Sequence, residues 1–195
     1  SNVVVGYQAF DAAAVGESFN VALGTNAMSA VDEGSGGGDA DYNIAIGQDA
    51  LLGGDFGGNN YQLQGNIAIG GYALDATAGN PHTGTIAIGY SALTELTTGG
   101  GNLAIGYQAL DAMTTGGDNI AIGYNAIGAG NHASFDQNIA IGNYALDAAG
   151  AVALSDCIAI GYDSMTSSVT ATADGSIAIG TQALAALTSG AGNIA

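Results

Sequence analysis

Not one lysine or arginine occurs among the 195 residues, against 17 aspartates and glutamates, for a formal net charge of −17. Without basic side chains there is nothing to neutralise phosphates, so nucleic acid is not an expected partner. Anionic membrane surfaces repel the chain for the same reason. No salt bridge between a carboxylate and Lys or Arg can form, so cohesion must come from apolar packing and backbone hydrogen bonds. Every trypsin-type cleavage site is missing too. Proline occurs once, which with the absence of a three-residue glycine period excludes collagen. A single cysteine, Cys157, rules out an intrachain disulfide framework. No apolar run reaches the ~18–20 residues of a membrane helix, so this segment is not expected to insert in a membrane.

What is present is repetition. Glycine, 34 residues of the chain, recurs at the end of each apolar triplet, at Gly6, Gly24, Gly47, Gly70, Gly89, Gly106, Gly123, Gly142, Gly161 and Gly180, with spacings of 17 to 23. Aligned on that glycine, position −1 is Val5, Leu23 or Ile, and position −2 is Ala in every copy but the first, which has Val4. Position −3 is Val, Ile or Leu, and position +4 is always large and apolar, from Phe10 to Leu184. Apolar residues make up 48% of the chain at such fixed positions, which argues against disorder.

In Ile44-Ala45-Ile46 the two large side chains lie two residues apart and share one face of a strand, while Ala takes the other. β-Branched residues suit that extended state. A single repeat cannot bury its own Ile pair, so consecutive repeats are expected to stack with Ile and Leu forming a continuous core. The expected fold is all-β: a parallel β-solenoid, or β-roll, of about ten coils of 17–23 residues, forming one domain over residues 1–195 on the order of 50 Å long at ~4.8 Å per coil. The segment after each glycine, such as Tyr107 to Met113, fits either a short strand or one helical turn. An asparagine column (Asn43, Asn66, Asn102, Asn119, Asn138) fits a structural ladder of stacked amides, with Thr85, Cys157 and Ser176 as replacements. Length varies only between position +4 and the next asparagine, placing insertions in loops on one side of the rod.

The motifs Asn66-Ile67-Ala68-Ile69-Gly70 and Asn119-Ile120-Ala121-Ile122-Gly123 resemble the head repeats of YadA-like trimeric autotransporter adhesins. The Gly-Tyr-x-Ala-Leu continuation, as from Gly106 to Leu110, is similar to repeats of phage and virion tail fibres. The resemblance covers essentially the whole chain. It implies a left-handed β-roll and a homotrimeric extracellular fibre, on a cell surface or a virion, that attaches to a glycan or protein receptor. Because Asn2-Val3-Val4-Val5-Gly6 and Asn193-Ile194-Ala195 are ordinary repeat sequence without a polar cap, residues 1–195 are read as a segment of a longer fibre protein. The alternative reading of the same ends is a self-assembling filament whose rods stack end to end through bare strand edges.

Chemistry is sparse. His82 and His132 fall in variable loops and are expected to be solvated; Cys157 occupies the asparagine column, with no cation to activate it. Asp11, Asp75, Asp111 and Asp147 share position +5 and read as a solvated face, a glycosidase-like carboxylate pair being the sharper alternative. No enzyme and no cofactor are expected. Calcium is the one metal the residues suggest, through Asp39, Asp41, Asp55 and Asp118 in Gly-rich loops. The tyrosines Tyr7, Tyr90, Tyr107, Tyr124 and Tyr162 at position +1 form a candidate stripe for sugars or for a partner chain. Thr97-Thr98 and Thr114-Thr115 hint at an ice-binding array.

Overall fold

The computed structural model describes residues 1–12, 16–32, 38–54, 59–77, 81–129, 135–147, 154–166 and 173–195. The apolar triplets form strands: β1 (Val3–Val5), β2 (Val21–Leu23), β3 (Ile44–Ile46), β5 (Ile67–Ile69), β7 (Ile86–Ile88), β8 (Leu103–Ile105), β9 (Ile120–Ile122), β11 (Ile139–Ile141), β13 (Ile158–Ile160) and β14 (Ile177–Ile179). They join in chain order into one ten-stranded parallel sheet. Register is strict, Ala stacking on Ala and each large aliphatic residue on another from β2 onward, as Val21 on Ile44 and Ile44 on Ile67. The chain is therefore a parallel β-solenoid. Ten strands bound nine coils, and the parallel bridge of Ile177 with Ile194 stacks the start of one more copy on β14. Two further pairs, β4 (Leu63–Gln64) with β6 (His82–Thr83) and β10 (Phe135–Asp136) with β12 (Leu154–Ser155), belong to another wall.

The core is the reverse of the expected one. In the strand triplets from β2 onward the central Ala is fully buried, while the flanking Ile, Val or Leu side chains are half-buried or exposed. Alternation along the strand does place the two large residues on one face, but that face is the outside. Inside, Ala at −2 and Asn at −4 point into a narrow lumen, and across from them stand Ala at +3 and the large residue at +4. Leu51, Leu74, Leu93, Leu110, Ile127 and Leu146 are all fully buried there. Each such side chain contributes ~1.5–3 kcal/mol of burial. Small residues on one wall and large ones on the other fill a coil too thin for two large layers.

Among the described residues the segment after each glycine forms turns with no strand and no α-helix, apart from one short 3-10 turn at Asp75–Thr77. Positions +2 and +4 both take left-handed φ in every copy, as in Gln108 (φ 53) and Leu110 (φ 55). That alternation turns the +2 and +4 N–H groups to opposite neighbours: Gln108 N donates to Tyr90 O of the preceding coil and Leu110 N to Ala126 O of the next, both at 3.0 Å. Left-handed φ costs a non-glycine residue ~1–2 kcal/mol, which inter-coil bonding and burial of the +4 side chain offset. The invariant glycine has a different reason. Gly106 has φ 139, and a Cβ there would collide with the Gly123 carbonyl oxygen of the next coil.

Two more interior columns lie where only variable loop was expected. Position +7 supplies Val31, Leu96 and Met113, and position −7 supplies Ala40, Leu63, Phe135, Leu154 and Ala173, all fully buried. The coil is thus closed by a third wall just before each asparagine, and the variable lengths fall between +7 and −7 rather than reaching the asparagine itself.

Candidate interaction surface

Three columns meet the solvent on one side of the rod: the large residues at −3 and −1, and the rings that follow the glycine. None of the 17 acidic residues falls in positions −4 to +1 of any repeat. The sheet wall is therefore apolar and charge-free along its whole length, on a chain of net charge −17. Ile141 and Ile179 rank among the exposed large hydrophobic residues, with Val3 and Val5 at the first strand. At ~4.8 Å per strand and ~10 Å per three-residue strand, the wall measures about 43 by 10 Å.

The tyrosines form a continuous stack, though not with the expected membership. Tyr90 and Tyr107 stack at 5.6 Å, Tyr107 and Tyr124 at 5.2 Å, with interplanar angles of 12° and 5°. Tyr72 joins edge-on below them, and Tyr144 and Tyr162 extend the series above. Tyr72 and Tyr144 sit at +2, where +1 is Gly71 or Asn143, and their left-handed φ of 59 and 58 turns the ring back into line. Reading for an aromatic at either position, instead of one strict column, would have found them. Tyr7 has no such neighbour, since the next copy carries Thr25, and it is 72% exposed. Tyr107 is sandwiched between Tyr90 and Tyr124, so it offers edges and hydroxyl, not a free face for a sugar ring.

The asparagine ladder is present and fully buried. Each carboxamide oxygen accepts from the backbone N–H and side-chain amide of the next asparagine: Asn43 N and Nδ2 donate to Asn20 Oδ1 at 2.8 and 3.1 Å. Each Nδ2 also donates to the carbonyl of the −7 residue one coil on, as Asn43 to Leu63, Asn66 to His82, Asn119 to Phe135 and Asn138 to Leu154. Asn102 starts the second run of three, donating to Gly116 at 3.0 Å. Cys157 continues the function with its thiol 3.2 Å from the Ala173 carbonyl oxygen. Burial pushes that thiol's pKa up, the opposite of an activated nucleophile. Thr85 breaks the pattern: its backbone N–H donates to Asn66 Oδ1, but its hydroxyl has no partner.

His82 is not solvated. It is 1% exposed, in the −7 column of the interior. Its Nδ1 lies 3.1 Å from the Gly99 carbonyl oxygen and its Nε2 3.0 Å from that of Thr97. Counting back from the following glycine would have placed it in the same column as Leu63 and Phe135. His132 lies outside the described residues.

The carboxylates occupy the remaining walls in two roles. At −6 they are structural: Asp136 Oδ1 accepts from Gly117 N at 2.7 Å and Asp174 Oδ1 from Ser155 N at 3.0 Å. Asp41, a calcium candidate, accepts from Ser18 N in the same way. At +5 the carboxylates form a half-buried row in which Asp75, Asp111 and Asp147 all have raised pKa values. Burial is the first cause in each, followed by neighbouring acids such as Asp49 and Glu95 for Asp75 and opposed in part by backbone N–H donors for Asp111. For Asp147 the acid is Asp163. Ser91, Thr94, Glu95, Gln108 and Asp111 line a shallow groove on this wall. Among the described residues no three His, Cys, Asp or Glu side chains converge as a metal site requires, so Asp39, Asp41 and Asp118 are not brought together as ligands; Asp55 lies outside the described residues. The Thr pairs serve the backbone, Thr97 Oγ1 donating to Thr114 O at 2.8 Å. Compared with known proteins, the chain matches no family model, no curated sequence and no solved structure.

Proposed function

We propose that the chain is a rod module of a structural or adhesive extracellular fibre, which packs against a further copy of itself through its apolar sheet wall and displays its variable loops to a surface or receptor. The observation that carries this reading is the segregation of surfaces. One wall, ten strands long, is wholly apolar and uncharged, while the acidic residues occupy the others. With the tyrosine stack along its border, that wall amounts to roughly 600 Å² per chain, so two copies would bury about 1,200 Å², the lower bound of a standard stable interface. Acidic side walls keep assembled rods soluble and limit association to this face.

Sedimentation equilibrium tests the reading. The native chain should be a discrete oligomer at micromolar concentration, and Ile105→Ser with Ile122→Ser should return it to monomer with an unchanged far-ultraviolet spectrum. A native chain monomeric at ~100 µM, or a double variant that still associates, would remove the sheet wall as the interface. Binding of labelled rods to glycan and protein surfaces, lost on grafting short loops between positions +7 and −7, tests the display of loops separately.

A further inference from the structure

We infer that His82 makes the step from the β6–β7 coil to the β8 coil a proton-operated joint, held closed by the neutral ring and loosened when the ring takes a second proton. The geometry begins with the ladder. Every asparagine from Asn20 to Asn66 caps a −7 carbonyl in the next coil. At Thr85 there is no amide to do so, and the carbonyl that would be capped is that of Gly99. His82, one coil position earlier, reaches that oxygen with Nδ1. Gly99 has no side chain, and the imidazole fills the space above the Leu63 position of the same column.

A neutral imidazole carries one N–H, yet both ring nitrogens face carbonyl oxygens. Only one of the two contacts is a hydrogen bond at a time. Protonation would satisfy both but would place a cation in a sealed interior. The groups facing the ring are the carbonyls of Gly99, Thr97 and Thr77; no carboxylate is among those acting on it. Asp75 and Glu95, the acids nearest in sequence, act on one another instead. Burial outweighs the carbonyls and pushes the imidazole's pKa below its ordinary value. In the opened coil the ring regains the ordinary value, so protons favour the open state as pH falls below about 6.5.

Amide hydrogen exchange of the full chain, corrected for its intrinsic pH dependence, reads the joint directly. Between pH 7.5 and 5, protection at Ile86, Gly101 and Gly106, whose N–H groups donate across the joint to Asn102, Thr83 and Ile88, should fall about tenfold for each pH unit over which only the opened state is protonated. Amides around Asn119 and Asn138 should hold their protection. His82→Leu combined with Thr85→Asn supplies an apolar filler already used at Leu63 and an amide for Gly99, and should abolish the pH dependence. Protection that stays constant or rises on acidification would overturn the inference, as would a double variant that remains acid-sensitive. Uniform loss along the whole rod would also count against it, because the joint is local.

Discussion

The ring of His82 occupies the hydrogen-bonding position that the side chain of Thr85 leaves empty, its Nδ1 lying 3.1 Å from the Gly99 carbonyl oxygen. In the buried asparagine coils, one side chain both continues the ladder and caps the −7 carbonyl, as Asn43 does for Leu63. Here the two tasks are divided: Thr85 continues the ladder through its backbone N–H, and His82 meets the carbonyl. The effects of substituting the two residues should therefore be coupled. His82→Leu alone should cost ~1–3 kcal/mol by leaving buried carbonyls without a donor. Thr85→Asn should recover about 1 kcal/mol of that in the His82→Leu background and add little beside the native ring. Equal effects of Thr85→Asn in both backgrounds, measured by a double-mutant cycle on thermal unfolding, would show that the residues act independently.

Asn119 should be the most sensitive ladder position. Its amide donates to Phe135 O at 2.8 Å, and its Oδ1 accepts from Asn138 N and Nδ2 at 3.0 and 3.1 Å. Asn119→Leu leaves those buried groups unpaired on both sides and is expected to destabilise the rod by ~3–5 kcal/mol. The same change at Asn193, whose amide is exposed at the Gly190 carbonyl, should cost under ~1 kcal/mol. Denaturant unfolding of the pair provides the comparison.

Backbone conformation supplies two predictions of opposite sign. Gly106→Ala combines φ 139 with a collision against the Gly123 carbonyl and should cost more than ~3 kcal/mol or prevent folding. Gln137 holds φ 61 at position −5, where Gly65, Gly84 and Gly101 also take left-handed φ. Gln137→Gly should raise stability by ~1 kcal/mol, read as a higher melting temperature.

Acid should strengthen the rod wherever the +5 carboxylates dominate. Asp75, Asp111 and Asp147 have pKa values raised above the ordinary carboxylate range. The native state then holds more protons than the unfolded one between the two values, so stability rises as pH falls from neutral through the native pKa. Asp111→Asn should mimic this at pH 7 by ~0.5 kcal/mol or less, since half-exposed carboxylates are screened by solvent, and should flatten the pH profile. His82 acts with the opposite sign, so the titration is best read by melting the His82→Leu, Thr85→Asn chain between pH 7 and 4.5. A melting temperature that falls over that range would contradict the assignment.

The repeat was legible in the residues because a solenoid imposes the same environment on every copy. Glycine spacing, the Ile-Ala-Ile triplets and the asparagine column led to a parallel stack and a ladder. Alternation also showed that the two large side chains of a triplet share a face. It could not say which face was inside, because period two is symmetric and hydrophobicity favours the larger residues for the core. The tertiary structure decided that: the lumen is so narrow that Ala45 and Leu51 fill it, and Ile44 and Ile46 are left outside. Left-handed φ at Gln108 and Leu110 was likewise hidden, since it follows from bonding to the coils on either side and not from local preference. His82 read as loop because insertions shift it along the chain, and only closure of the third wall brings it into register with Leu63. The sequence by itself determined that coils must stack; packing in three dimensions determined which side faces the core and which is left for a partner.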